Sequence, residues 1–318
     1  MTFVPGQELG KANLEVFSET LLALAGEDKN VLAVTSDSRG SGKLMPFASG
    51  LPDRLIEVGI AEQNLVGISA GLASTGKIVY AVSPASFLSA RALEQIKNDV
   101  CYSNQAVKLI GISAGVSYGA LGSTHHATHD LAALRAIHNI SIVAPADNFE
   151  TAEAIKAAAQ IQHPVYIRFG KRPMYHLHGP GAEFAVGQSI TVREGTDIAF
   201  IATGETVYNA LMAAVAMETD GLACRVISMH TVKPLDAEAV RRAASETRAI
   251  VTVEEHSVHG GLGEACAGVL IQAGLSVPFK IVGLPDEYTV TGSQMEILEH
   301  YGISAEGLVQ TARVLLNQ

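Results

Sequence analysis

The chain has 318 residues, of which 48% are hydrophobic and only 17% charged, and its formal net charge is −10. That length accommodates two domains of ordinary size, and the acidic balance argues against nucleic acid or an anionic membrane surface as the main partner. No window approaches the ~20 uncharged apolar residues of a membrane span, and the start Met1-Thr2-Phe3-Val4-Pro5-Gly6 lacks the basic and apolar regions of a signal peptide, so a cytoplasmic location is expected.

In chain order, the pattern predicts an amphipathic helix over 9–25 and a strand over 31–35. A polar loop follows, Ser36-Asp37-Ser38-Arg39 through Gly42 and Lys43 to Pro46. Open α/β sheets hold ligands at such loops, although surface loops in general also read this way. Residues 54–58 read as a short buried strand and Gly59 as a turn. A helix comes next, with Leu65, Ile68 and Leu72 at helical spacing. Gly67, Ala70 and Gly71 leave another face almost bare, open to close approach by a neighbouring backbone. Glu62 stands in the first turn of this helix, where the helix dipole alone favours a carboxylate.

A strand over 78–82 ends at Ser83-Pro84, followed by a helix over 87–98 and a strand over 107–112. A glycine-rich loop over 115–122 leads into His125, His126 and His129. Helix, strand, helix and strand are then predicted over 131–137, 140–144, 148–159 and 165–169, and Arg168, Lys171 and Arg172 make the last strand end basic. Residues 174–188 lack periodicity and read as a linker between domains 1–180 and 190–318. The second domain has strands over 197–202, 224–229, 249–254 and 279–283, with helices starting near Glu205, Leu235 and Gly261. Such alternation predicts an α/β protein of two doubly wound domains, with parallel sheets covered by helices on both faces. Cys101, Cys224 and Cys266 sit in apolar or small-residue contexts, are expected as buried free thiols, and have no metal-ligand spacing.

The stretch Asp53–Val79, with Gly59-Ile60-Ala61-Glu62-Gln63-Asn64 at its centre, resembles the pyrimidine-binding domain of the transketolase family of thiamine diphosphate enzymes. The resemblance implies that Glu62 hydrogen-bonds the cofactor's aminopyrimidine and promotes the tautomer that removes the thiazolium proton. A carboxyl group suits that task because, when buried, it can hold or share a proton. Phe87 falls where the family stacks an aromatic ring on the pyrimidine, while Ala90 and Leu93 replace two further aromatics that transketolases often carry. Gly119-Ala120-Leu121-Gly122-Ser123-Thr124-His125 resembles the family's Gly-Glu-Asp-Gly-Pro-Thr-His. The match implies a catalytic and substrate-binding His125, able to move protons near neutrality, with His126 beside it as a further substrate contact. Ala120-Leu121 stands for the Glu-Asp pair, and Ser113 for another substrate-binding His. Lys171, with Arg168 nearby, falls where the family grips the substrate phosphate with an Arg; Lys offers a point charge in place of a fork.

The Gly-Asp-Gly segment with a downstream Asn, through which the family binds the cofactor diphosphate and a divalent metal, is missing from the sequence. Gly260-Gly261-Leu262-Gly263 resembles instead a turn of the family's carboxyl-terminal domain. The resemblance therefore covers the back half of a full-length transketolase, a pyrimidine-binding domain followed by a carboxyl-terminal domain. It implies a split enzyme in which a separate partner chain supplies the diphosphate-binding domain and Mg2+, assembled as α2β2, passing a two-carbon ketol unit between sugar phosphates. The altered glycine loop leans toward a non-standard sugar such as apulose 4-phosphate, with a sulfosugar as near rival. The beta subunit of a 2-oxo-acid dehydrogenase and a non-catalytic scaffold are the other readings.

Overall fold

The computed structural model describes residues 3–317. Its first half contributes strands β1 (Leu9–Ala12), β2 (Val31–Thr35), β3 (Leu55–Glu57), β4 (Ile78–Pro84), β5 (Lys108–Ile112), β6 (Ser141–Val143), β7 (Val165–Phe169) and β8 (Pro173–Tyr175). The second half contributes β9 (Ile190–Arg193), β10 (Ile198–Ala202), β11 (Cys224–Ser228), β12 (Thr231–Lys233), β13 (Ile250–Ser257) and β14 (Phe279–Leu284). A seven-stranded sheet runs β12-β6-β7-β5-β4-β2-β3, and a five-stranded sheet runs β14-β13-β10-β11-β9. Both are parallel except at one edge each, where β12 and β9 run antiparallel to their neighbours. The central strands β2, β5, β7, β10 and β11 are buried at every residue. That is why they are mostly apolar along their whole length and do not alternate, the charged exceptions being Lys108, Arg168 and Arg225.

Helices cover both faces of each sheet and build four large cores. In the larger sheet β3 and β4 lie on opposite sides of β2. The connections leaving β2 and β4 therefore diverge, opening a crevice at the carboxyl ends of the strands. The loop after β2, the turn carrying Glu62 after β3, the helix carrying Phe87 after β4 and the glycine loop after β5 all leave from that end.

The structure corrects several sequence expectations. Residues 9–12 are strand, with the helix beginning only at Asn13 and running to Glu27. β1 pairs antiparallel with β8, which lies at the boundary of the expected linker. β3 is an edge strand with Glu57 exposed, where a buried strand was expected. The helix expected over 87–98 starts at Ala85, ends at Arg91, and continues as a π-helical turn over Ile96–Tyr102. On the small-residue face of the helix Glu62–Ser74, a methyl group at Gly71 would touch nothing within 4 Å among the described residues, and one at Gly67 would meet only the Asp99 side chain, so neither glycine is needed for a close backbone approach. β12 belongs to the second half of the chain yet extends the first sheet. Two helices, Gln294–His300 and Ala305–Leu316, complete the second domain. The three cysteines are free and buried, and burial pushes the Cys101 and Cys224 thiols up to about 11.

Candidate functional site

Gly59 takes a φ of +75°, which a glycine adopts freely, and the chain turns there into the helix that begins at Glu62. This places the Glu62 carboxylate at the crevice with only 4% of its surface exposed. Both of its oxygens accept from Nη1 of Arg91, each at 3.0 Å. Arg91 follows Phe87 by four residues on the helix after β4, so its side chain reaches back over the preceding turn. Its Cζ lies 4.4 Å from the Phe87 ring centroid, a cation–π contact. The Phe87 ring meets the His125 imidazole edge-on, with centroids 5.3 Å apart. Tyr118 meets His125 in the same manner at 5.5 Å, and the Lys171 ammonium lies 3.7 Å from the Tyr118 centroid. Glu62, Arg91, Phe87, His125, Tyr118 and Lys171 thus form one continuous ribbon of contacts.

Hydroxyls rim the same strand ends. The side-chain oxygens of Thr35, Ser86 and Ser113 are buried without a hydrogen-bond partner among the described residues, and Ser36 bonds Ser83 at 2.8 Å. Ser113 has a φ of +56°, a strained value for a residue with a side chain, of the kind found at functional sites. Buried polar atoms left unpaired are rare and costly, so this rim is equipped for a polar ligand. His125 Nδ1 lies 3.0 Å from Thr124 Oγ1.

Other candidates fall elsewhere. His126 is buried, with Nδ1 2.6 Å from Thr289 Oγ1 and Nε2 2.9 Å from the Gly119 carbonyl. Both ring nitrogens are engaged within the chain and burial lowers its pKa, so His126 anchors the glycine loop and does not face a substrate. Arg168 is buried too. It donates to Asp130 Oδ1 at 2.6 Å and to the Glu255 carbonyl at 2.9 Å, which corrects its expected place in a phosphate grip. Lys171 is exposed and stands apart from it; partial burial lowers the pKa of its ammonium. Arg39 pairs with Glu57 at 3.3 Å and Lys43 with Glu15 at 3.4 Å, both at the surface. Leu121 is 56% exposed at the tip of the glycine loop.

The glycine turn of the second domain serves a side chain. Glu254 accepts from the backbone of Leu262 and Gly263 at 2.6 and 2.9 Å, and a side chain at Gly261 would overlap its carboxylate. Burial pushes this carboxyl up to about 7. Glu255 accepts from the Val116 backbone at 2.6 Å and from Gln294. Glu205 accepts from the Gly170 backbone at 3.0 Å and is raised to about 8, chiefly by burial and then by the Glu255 charge.

Sequence reasoning missed Arg91, Tyr118 and two members of the hydroxyl rim, Thr35 and Ser86, whereas it singles out Ser36 and Ser113. For Arg91 a signal existed, a cation one helical turn beyond the candidate stacking residue. That the rim's members come together gave none, because they lie at three different strand ends.

Residues 10–175 match the pyrimidine-binding domain of transketolase, and residues 187–308 match the transketolase C-terminal domain. The chain is 47% identical over 297 residues to an apulose-4-phosphate transketolase subunit of Phocaeicola vulgatus, covering 93% of this chain and 95% of that protein. It is 38% identical over 302 residues to the protein of the same name from Actinobacillus succinogenes, covering 95% and 96%. Among solved structures, a split-gene transketolase described as an inactive beta4 tetramer superposes with a TM-score of 0.87 at 37% identity, covering 97% of this chain and 99% of that one.

Proposed function

The chain belongs to the transketolase family, and we propose from that premise that it is the carboxyl-terminal subunit of a split, thiamine-diphosphate-dependent transketolase. Its reaction would move a two-carbon ketol unit between sugar phosphates, with apulose 4-phosphate as the ketose. The observation that carries this reading is the slot between Glu62 and Phe87, a buried carboxylate beside an aromatic face at the crevice of a parallel sheet. A planar donor already fits there, the Arg91 guanidinium. The slot therefore has the shape and polarity an aminopyrimidine needs, and the unpaired hydroxyls of Thr35, Ser86 and Ser113 offer further polar partners at its rim.

When bound, the cofactor supplies the carbon nucleophile for ketol transfer. Glu62 would hydrogen-bond the ring and hold or share a proton there. Phe87 would stack on it, alone, because Ala90 and Leu93 offer no aromatic face. Among the described residues His125 Nε2 has no hydrogen-bond partner, so it is available to exchange a proton with a substrate oxygen. Lys171 would carry the phosphate as a point charge. Diphosphate and Mg2+ binding would fall to a partner subunit in an α2β2 assembly in the cytoplasm, since the Gly-Asp-Gly segment is missing from this sequence.

The test is reconstitution with a polypeptide bearing the diphosphate-binding domain. Ketol transfer from apulose 4-phosphate to an aldose phosphate should be absent for either chain alone and present for the mixture. Glu62→Gln should lower turnover by more than the ~10² of a lost proton-transfer group without preventing assembly. Substantial activity of the lone chain, or normal turnover by the variant, would refute the reading.

A further inference from the structure

Arg91 is the member of the ribbon whose contacts exceed what folding requires. A surface arginine one turn beyond a phenylalanine can lie in solvent at little cost. Here Nη1 is 3.0 Å from each Glu62 oxygen while the guanidinium covers the Phe87 ring at 4.4 Å. It thus presents a planar donor to the same carboxylate and the same aromatic face that the reading above assigns to the aminopyrimidine, and both groups cannot be there together. Two features make the arginine displaceable. Its side chain is half exposed, so a path to solvent is open. Among the described residues it makes no hydrogen bond beyond Glu62, and a single nitrogen makes that one, not the two-pronged grip of which a guanidinium is capable. Its stem also springs from the last residue of its helix, before the backbone departs from helical geometry at Ala92. The contact also serves Glu62: without it, the carboxylate would be buried with no counter-charge, which is costly.

We propose that Arg91 is a resident stand-in for the cofactor's pyrimidine, closing the Glu62–Phe87 slot when the slot is empty and leaving it when the cofactor binds. The inference rests on the assignment of Glu62 and Phe87 made above. Its consequence is quantitative. Apparent affinity falls by the fraction of molecules whose slot is open. An ion pair with Arg91 half exposed and Glu62 buried, together with one cation–π contact, favours the closed form by at least about tenfold, so at most about a tenth of the sites are open at any moment. Thiamine diphosphate then binds at least about tenfold more weakly than the open slot allows, equivalent to about 1.4 kcal/mol or more.

The experiment measures binding of thiamine diphosphate with Mg2+ to the assembled two-subunit complex by calorimetry. Wild type, Arg91→Met, Arg91→Lys and Glu62→Gln are compared. Methionine keeps helix propensity and the apolar stem while removing the charge. Arg91→Met should bind at least about tenfold more tightly than wild type, with Arg91→Lys in between because its ammonium lacks the planar donor face. Glu62→Gln should bind more weakly. If the wild type binds and Glu62→Gln weakens it, but Arg91→Met binds equally or more weakly, the slot stands and the stand-in role is overturned. If Glu62→Gln leaves affinity unchanged, the slot itself is misassigned and both readings fall.

Discussion

Arg168→Met separates the two roles open to a cation at the end of β7. Arg168 donates to Asp130 Oδ1 at 2.6 Å, with the two side chains 7% and 0% exposed. It also donates to the Glu255 carbonyl at 2.9 Å, reaching from the first domain to β13 of the second. Methionine replaces most of the buried stem, so the loss reports the missing charge more than a cavity. Asp130 would keep the Tyr166 hydroxyl at 2.6 Å but no counter-charge, since the neighbouring His256, with Nε2 at 4.0 Å, is held neutral by burial. Removing one member of a buried pair costs about 3–5 kcal/mol, a large share of the roughly 5–15 kcal/mol that holds a domain folded. Urea unfolding of the lone chain, followed by circular dichroism, should therefore show that loss. Arg168→Met combined with Asp130→Leu should recover most of the stability, since replacing both members by apolar groups leaves no orphaned charge. A loss under about 1 kcal/mol, with a KM rise confined to phosphorylated substrates, would return Arg168 to the phosphate grip and refute the argument.

Two further outcomes are expected. Burial raises Glu205 to about 8 and Glu254 to about 7, against ~4.3 for an ordinary Glu, so above about pH 6.5 the folded chain holds protons that the unfolded chain has released. His256, lowered to about 4, is neutral in both states over most of this range. Stability should therefore fall as pH rises from about 6.5 to 8 and then level off, and Glu205→Gln should flatten that slope. Denaturation midpoints rising across the window would contradict the assignment. Leu121, exposed at the loop tip, cannot accept the hydroxyl that an Asp would bind. An unpaired buried hydroxyl costs roughly 1–3 kcal/mol, so Leu121→Asp should move specificity toward ribose 5-phosphate by about ten- to a hundredfold. A wild-type complex that already prefers ordinary pentose phosphates would show that Leu121 does not read the sugar.

What the sequence disclosed follows from which interactions are local. β2 and β7 were legible to the residue, because strands buried on both faces need only apolar content and clear flanking turns. β1 and β8 were not, because their pairing joins Leu9 to Tyr175 across the whole first domain, and neither segment carries a strand pattern of its own. The helices after residue 293 did leave a signal that went unread. Ser293 and Glu296 form a capping box, and Leu308, Ala312 and Leu315 recur at helical spacing on a buried face. At the site, Glu62, Phe87 and His125 lie together in the structure, each announced by its own segment. Arg168 and His126 misled because a basic turn and a run of histidines are compositional signals. What they do is set by Asp130, Glu255 and Thr289, far away in sequence.

Those distant partners also explain the second domain. Every member of the ribbon from Glu62 to Lys171 belongs to the first domain, yet the loop carrying Tyr118, Leu121 and His125 is fastened from the second. Glu255 holds the Val116 backbone at 2.6 Å at the loop's start. Thr289 takes both Ser123 and His126 near its end, at 3.0 and 2.6 Å. At Gly119, φ +50°, a side chain would run into the Gly292 carbonyl, so the two backbones approach as closely as glycine permits. A glycine-rich loop left to itself is costly to order, and a histidine within it would be poorly placed. Fastened at both ends, by a buried hydrogen bond at Val116 and by Thr289 at Ser123 and His126, the loop becomes a wall of the crevice, and His125 is held between Phe87 and Tyr118. The carboxyl-terminal domain thus acts through position: it fixes the loop that carries Tyr118, Leu121 and His125, while the proposed Glu62–Phe87 slot, built wholly within the first domain, is left without any such fastening among the described residues.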